Sequence, residues 1–445
     1  MESASPRRWP GYATVWRWHF YAGLFCLPFV LWLSLTGAAY LFRPQVDALI
    51  DRPYARVAGA GPRASAAAQV DAALAAVPGS VLHRYQLPDT PGQAVQIIVG
   101  AHGQETRVYV NPQTRAVLKT VGEQDRLMRV VFRLHGELLA GDLGSYVVEL
   151  AASWTIVMIL TGLFLWWPRS GTLAGVVYPR LTASGRRFWR DLHGVTGFWV
   201  SGMALALLVS GLPWAKSWGS YLKTVRTAVE GSPVRQDWTI GAAAGPGTRA
   251  MEGAHAEHGG MAMEHPRQSY QPLDRLVATV APLRLAQPVL IAPPAGAGQP
   301  WTAKSDAADR PLRTDLELDA SGRILSRRDF ATRRLVDRVV GYGVALHEGA
   351  LFGWLNQLVN LLTALGLMLL AVSSAVLWWR RRPPAVLGAP HPRPRPALAW
   401  GLVAAIAAIG VLLPLFGATL LAVLLVERLV LTRLPTTRRW LGLAA

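Results

Sequence analysis

The sequence holds one cysteine in 445 residues, Cys26, and that scarcity removes several chemistries at once. No disulfide framework, thiolate cluster for zinc or iron-sulfur, or covalent c-type attachment motif can be built from it. Any prosthetic group must therefore be held by ligation and packing. The glycine-rich stretches lack the strand, fingerprint and helix context of a dinucleotide fold, which excludes a soluble flavin or nicotinamide module. Acids are also few, 27 against 45 Lys and Arg. They are scarcest in four apolar runs, 20–42, 145–167, 195–214 and 354–379, which hold no Lys, Arg or Asp and a single acid, Glu149. Each run is about the length that crosses a bilayer as helix. So few ionisable groups offer little to an ion or solute pathway through the membrane.

The formal net charge of +18 reads as topology and excludes nucleic acid as a partner. Its arginines crowd the short segments beside the runs: Arg7, Arg8 and Arg17; Arg169, Arg180, Arg186, Arg187 and Arg190; Arg380, Arg381, Arg382, Arg393 and Arg395. Positive residues in short loops mark the cytoplasmic side, so a multi-pass protein of the bacterial inner membrane with its N-terminus inside is expected. The first run is long for a signal peptide and Arg7-Arg8 lies far from it, so it reads as an uncleaved anchor. Arg433, Arg438 and Arg439 place the C-terminus inside too. An even number of spans then makes 397–431 a helical hairpin broken at Pro414-Leu415-Phe416-Gly417, with one long kinked helix as the alternative.

Four histidines recur at matched positions in two halves of the chain: His19 and His135, then His193 and His347. A glycine follows His19 and His193 by four residues (Gly23, Gly197) and another by eighteen (Gly37, Gly211). A glycine follows His135 and His347 by six (Gly141, Gly353), and a tryptophan pair closes each run (Trp166-Trp167, Trp378-Trp379). The halves read as a tandem duplication of helix, outer domain, helix, with the Trp pairs as interfacial anchors. Histidine at a membrane edge costs desolvation and needs a partner, and neutral imidazole is a common metal ligand. The four read as two pairs of axial haem ligands. By topology His19 pairs with His193 on the cytoplasmic side and His135 with His347 on the outer side. Arg17 and Arg190 beside the inner pair, and Arg133 and Arg338 beside the outer, are candidate partners for haem propionates.

The expected fold is an α-helical integral membrane protein with four core spans, a C-terminal hairpin and two small α+β periplasmic domains. Its segments are a cytoplasmic N-terminus (1–18), span 1 (19–42), outer domain 1 (43–133), span 2 with its ligand segment (134–167), a cytoplasmic loop (168–192) and span 3 (193–214). Outer domain 2 (215–345), span 4 with its ligand segment (346–379), a linker (380–396), the hairpin (397–431) and a cytoplasmic tail (432–445) follow. Alternating stretches at 94–99, 107–111, 311–319 and 323–325 predict strands, joined by turns at 111–114 and 319–322. Continuous helix from His135 to Trp167 would be about 48 Å long, well beyond a hydrocarbon core of about 30 Å. That length puts the outer haem at or above the outer surface. Electrons would then have to cross the core, where Trp32 and Trp154 could bridge, although packing suits them better.

The motifs Trp18-His19-Phe20-Tyr21-Ala22-Gly23 with Ser34-Leu35-Thr36-Gly37, Leu134-His135-Gly136-Glu137 with Gly162-Leu163, Asp191-Leu192-His193-Gly194 with Ser210-Gly211, and Leu346-His347-Glu348-Gly349 resemble the PepSY-associated transmembrane helix family. The resemblance covers residues 16 to about 382 and leaves the terminal hairpin outside. It implies PepSY-like outer domains, two haem b and the activity of the family's siderophore-iron reductases. Such an enzyme takes electrons from a quinol, a reductase or a small reductant and passes them to a ferric siderophore or other metal chelate outside.

One segment points to a different metal. Met251, Met261 and Met263 lie among His255, His258 and His265, and thioether with imidazole suits copper, although a plain disordered loop has the same composition. A copper reductase is thus an alternative. A transporter, or a haem-free scaffold whose outer domains regulate a protease, are alternatives of other classes. His83, His102 and His391 show no partner pattern.

Overall fold

The computed structural model describes residues 11–59, 61–168, 173–231, 269–296, 298–390 and 400–443. Helices α1 (Tyr12–Tyr40), α2 (Arg43–Ile50) and α3 (Ala66–Ala76) precede strands β1 (Val81–Leu87), β2 (Val95–Ala101), β3 (Gln104–Val110) and β4 (Val117–Gly122). Helices α4 (Leu127–Glu137), α5 (Gly141–Trp166), α6 (Gly185–Gly211), α7 (Lys216–Glu230) and α8 (Pro272–Val280) follow. Next come strands β5 (Val289–Ala292), β6 (Trp301–Ser305), β7 (Thr314–Leu318) and β8 (Ile324–Asp329). The chain ends with α9 (Leu335–His347), α10 (Trp354–Arg381), α11 (Trp400–Leu412), α12 (Pro414–Leu429) and α13 (Pro435–Leu441). Two units result. One comprises Met1–Ala39, Arg133–Ile240 and Leu358–Ala445, the other Tyr40–Phe132 and Gly241–Gln357.

Among the described residues five helices are long and apolar enough to cross a membrane: Tyr12–Tyr40, Gly141–Trp166, Gly185–Trp214, Trp354–Arg381 and Pro414–Arg433. The packed face of α5 is small or polar, with Gly144, Ser145, Ala151, Ser153 and Thr155 buried, whereas Leu160 and Phe164 are exposed. Helices surrounded by lipid gain nothing by hiding leucine from it, so close backbone approach and internal hydrogen bonds hold them together. Glu149, the one acid of the four apolar runs, accepts the Ser217 and Trp218 backbone N–H groups at 2.9 and 3.1 Å. It caps the start of α7, whose first N–H groups have no partner within their own helix.

Near the C-terminus α11 ends at Leu412 and α12 begins at Pro414, with the two folded sharply enough that a Cβ on Gly417 would lie 2.7 Å from the Gly410 carbonyl oxygen. Two helices are present, as expected, not one kinked one. The first, α11, is 13 residues long, about 20 Å, which is short for a span of about 30 Å. Trp154 packs on Phe416 and donates to Thr419 at 3.1 Å, fastening α12 to α5. Of each tryptophan pair, one indole ties down the chain that follows it, Trp166 to the Val176 carbonyl and Trp378 to that of Leu387, both at 2.9 Å.

In the second unit all eight strands lie antiparallel in one sheet, ordered β4-β3-β2-β1-β5-β6-β7-β8. This corrects the expectation of two separate outer domains. β1 and β5 pair centrally, Tyr85 opposite Ile291 and Leu87 opposite Val289, so each half covers the edge that the other would leave open. One core joins Val70 and Ala73 of α3, Leu273, Leu276 and Val280 of α8, and both sets of strands. Asp274 of α8 accepts the Ala66 backbone N–H and so caps α3 across the halves.

A second correction concerns the ligand-bearing segments. Helix does not run on from His135 to Trp167. It stops at Glu137, and Leu138, Leu139 and Gly141 take φ of 50, 57 and 57° before α5 begins. Left-handed leucines are costly, and hydrogen bonds from Leu139 N–H to the Arg133 carbonyl (3.3 Å) and from Ala140 N–H to that of Glu137 (2.8 Å) offset the cost. His347 is likewise the last residue of α9, with a break before Trp354.

His83, unassigned from the sequence, binds Glu105 at 2.9 Å beside Arg84, and His102 sits in the β2–β3 turn with φ 50°. Burial pushes the Glu105 carboxyl up, but the His83 hydrogen bond and the Arg84 charge overcome it and hold the group below its ordinary value. A depressed carboxylate stabilises the fold above its unfolded pKa of about 4.3, and that contribution disappears as pH falls through the folded value. Amide exchange in β1 to β3 of the full chain is expected to accelerate below about pH 4, and Glu105→Gln to flatten that dependence.

Candidate functional site

The first unit gathers three of the four matched histidines onto its membrane helices. His19 of α1 directs Nδ1 at the Thr161 hydroxyl (3.0 Å) and the Met158 carbonyl (3.1 Å), both on α5. His193 of α6 directs Nδ1 at the Ser373 hydroxyl (3.2 Å) of α10 and lies against the Leu370 carbonyl. The His19 and His193 imidazoles are within electrostatic reach of each other. His135, on α4, crosses to α1, where its Nδ1 meets the Thr36 hydroxyl at 3.1 Å. His347 belongs to the second unit.

Glycine makes the close seating possible. A Cβ on Gly162 would stand 3.1 Å from His19 Cε1, and one on Gly37 equally close to His135 Cε1. The rings therefore rest almost on helix backbone.

Depth along α1 separates two levels. His19 and Gly37 are 18 residues apart, about 27 Å of helix. His135 meets α1 at Gly37, three residues before Tyr40 ends the helix. His135 thus meets α1 within the last turn of that apolar helix. Trp32 donates to the Leu134 carbonyl at 3.2 Å, beside His135, so it helps to hold that ligand segment.

Three of the four arginines singled out are engaged within the protein. Arg17 donates to the Pro390 carbonyl (2.7 Å) and lies 5.1 Å from the Tyr21 ring, Arg190 reaches Asp191 at 3.2 Å, and Arg133 reaches Glu137 at 3.7 Å. Arg338 differs, since its Nε is buried with no hydrogen-bond partner. A buried guanidinium N–H left unmatched suits an anion. Met251, His255, His258, Met261, Met263 and His265 lie outside the described residues, as does His391.

The donor set fits a haem. Among the described residues no group of three or more His, Cys, Asp or Glu converges as a metal centre would need. Paired imidazoles suit an iron whose four equatorial positions are filled by a porphyrin. Each histidine is half-buried, and His19, His135 and His193 each place Nδ1 against a hydroxyl, so iron would be met through Nε2.

The hydroxyls are what the sequence reading missed, and a signal for them was present. Thr36 and Ser210 each follow a first-position histidine by 17 residues, Thr161 and Ser373 each follow a second-position histidine by 26, and all but Ser373 precede a glycine.

The profile of the PepSY-associated TM region matches residues 16–381. No curated protein matches the chain.

Proposed function

The chain belongs to the PepSY-associated TM family, and from that premise we propose that it is a di-haem b electron-transfer protein of the bacterial inner membrane that reduces a metal chelate, a ferric siderophore foremost, on the periplasmic side. The observation that carries the reading is the His19 and His193 pair, held on separate helices within electrostatic reach of each other, with each Nδ1 already bonded. When bound, haem with two imidazole ligands supplies a one-electron ferric/ferrous couple with no open coordination position. His19 and His193 would hold the inner haem, and the repeat in the sequence, by itself, assigns His135 and His347 to the outer. Arg338, with its unmatched Nε, is the strongest propionate partner of the four arginines. Duplication of the helix, outer domain, helix unit gives the reading its symmetry. The strand order is the same counted outward from the β1/β5 seam in either direction, and the histidine spacings repeat.

The test is a reduced-minus-oxidised spectrum of the purified chain with haem quantified, followed by addition of oxidant to the reduced protein. Two b-type haems per chain and rapid reoxidation by a ferric siderophore are expected. A preparation without b-type bands would end the proposal. Faster reoxidation by Cu(II) than by the siderophore would move the substrate to copper, the metal that the Met251 to His265 composition favours.

A further inference from the structure

The three hydroxyls that face the histidines share a feature that packing alone does not require. Each one's own proton is directed elsewhere: Thr161 donates to the Met158 carbonyl at 2.9 Å, Thr36 to that of Trp32 at 2.9 Å, and Ser373 to that of Leu370 at 3.1 Å. A hydroxyl has one proton and two lone pairs. With the proton bonded along its own helix, each oxygen can meet the imidazole only as an acceptor. Nδ1 must then carry the hydrogen, and Nε2 must carry the lone pair.

We propose that Thr161, Thr36 and Ser373 are positioning residues that lock His19, His135 and His193 in the tautomer with Nδ1 protonated and the lone pair on Nε2, the nitrogen that would ligate iron, and that raise the basicity of Nε2 through this hydrogen bond. The inference rests on the haem reading above. Ser210 holds the matching place in the repeat, 17 residues after His193, and its hydroxyl donates to the Leu207 carbonyl at 3.1 Å in the same manner. The device answers a problem peculiar to a membrane helix. A histidine there has no water to choose its tautomer, and a ring free to flip would present N–H to the metal half the time. A threonine or serine bonded back to its own helix is compact enough to sit behind the ring, and the adjacent Gly162 and Gly37 let the ring come down onto it. A more basic Nε2 favours ferric over ferrous iron, so each hydroxyl lowers the midpoint potential of its haem.

The test uses the purified full chain and reads haem content, the low-spin spectrum and both midpoint potentials. Thr161→Val, Thr36→Val and Ser373→Ala remove the hydroxyl acceptor, while Thr161→Ser, Thr36→Ser and Ser373→Thr keep it. Thr36→Val is expected to raise one potential by about 59 mV, equivalent to about a tenfold loss of preference for ferric iron, and Thr161→Val and Ser373→Ala to raise the other by less, because the Met158 and Leu370 carbonyls still face His19 and His193. Thr161→Val and Ser373→Ala should move the same wave, and Thr36→Val the other. The hydroxyl-keeping swaps should titrate as wild type. An acceptor-free variant that loses its haem while its hydroxyl-keeping counterpart retains it supports the lock equally. Unchanged potentials in haem-loaded variants overturn the lock and leave the haem reading standing. Equal loss in both kinds of variant also overturns it, in favour of packing. Wild-type protein without haem overturns both.

Discussion

His193→Ala is expected to remove one of the two b-type haems and spare the other, read as haem per chain and as the loss of one wave from the redox titration. The argument is one of distance. His19 and His193 are within electrostatic reach of each other, whereas the level at which His135 meets α1 is about 27 Å away along that helix. An alanine at 193 leaves His19 with half a ligand set and leaves Thr36, Gly37 and His135 untouched. His19→Ala should reproduce the loss, and the double variant should add nothing to it, because the two histidines serve one group. His135→Ala should remove the other wave. Loss of both haems from any single change would contradict two separate levels. A partition by half of the chain, with His19→Ala and His135→Ala removing the same haem, would refute the pairing itself.

The membrane helices were legible because lipid leaves a coarse record in composition: apolar runs of about 20 residues, with arginines and tryptophans gathered at their ends. The histidines were legible because their spacing to glycine recurs in the two halves. Two things were not. The helix break after Glu137 depends on Leu138 and Leu139 taking left-handed φ, a conformation that leucine almost never announces in sequence. The single eight-stranded sheet depends on β1 and β5 finding each other across about 200 residues, and strand patterning reports which face is buried, not which neighbour covers the edge. The short strands β5 and β6, four and five residues long, gave too few alternations to register at all. At the site the imidazoles stood out because histidine is rare in apolar helix, while Thr36, Thr161 and Ser373 passed as ordinary small residues at helix contacts.

Glu149 separates the electron-transfer reading from a transporter most sharply, because it is the one carboxylate in the apolar runs and a proton or cation pathway would need it. In the structure a single oxygen, Oε2, receives both the Ser217 and the Trp218 N–H, while Ser145 receives that of Lys216 at 3.1 Å and Asp142 meets the Lys216 ammonium at 2.9 Å. The carboxylate thus completes the start of α7, whose Trp218 indole in turn donates to the Leu412 carbonyl at the turn before α12. A glutamine can offer its carbonyl oxygen in the same place and keep both bonds. Glu149→Gln is therefore expected to leave the thermal denaturation midpoint and the haem content of the detergent-solubilised chain near wild type. Glu149→Leu strands two buried donors, costs about 2 to 6 kcal/mol and loosens α7 and α12 together. A residue that carried protons or cations would behave in the opposite way, since glutamine cannot ionise and would abolish function as completely as leucine. Equal loss in the two variants, with stability preserved in both, would revive the transport reading. A steep loss of stability confined to leucine assigns the acid to the helix cap.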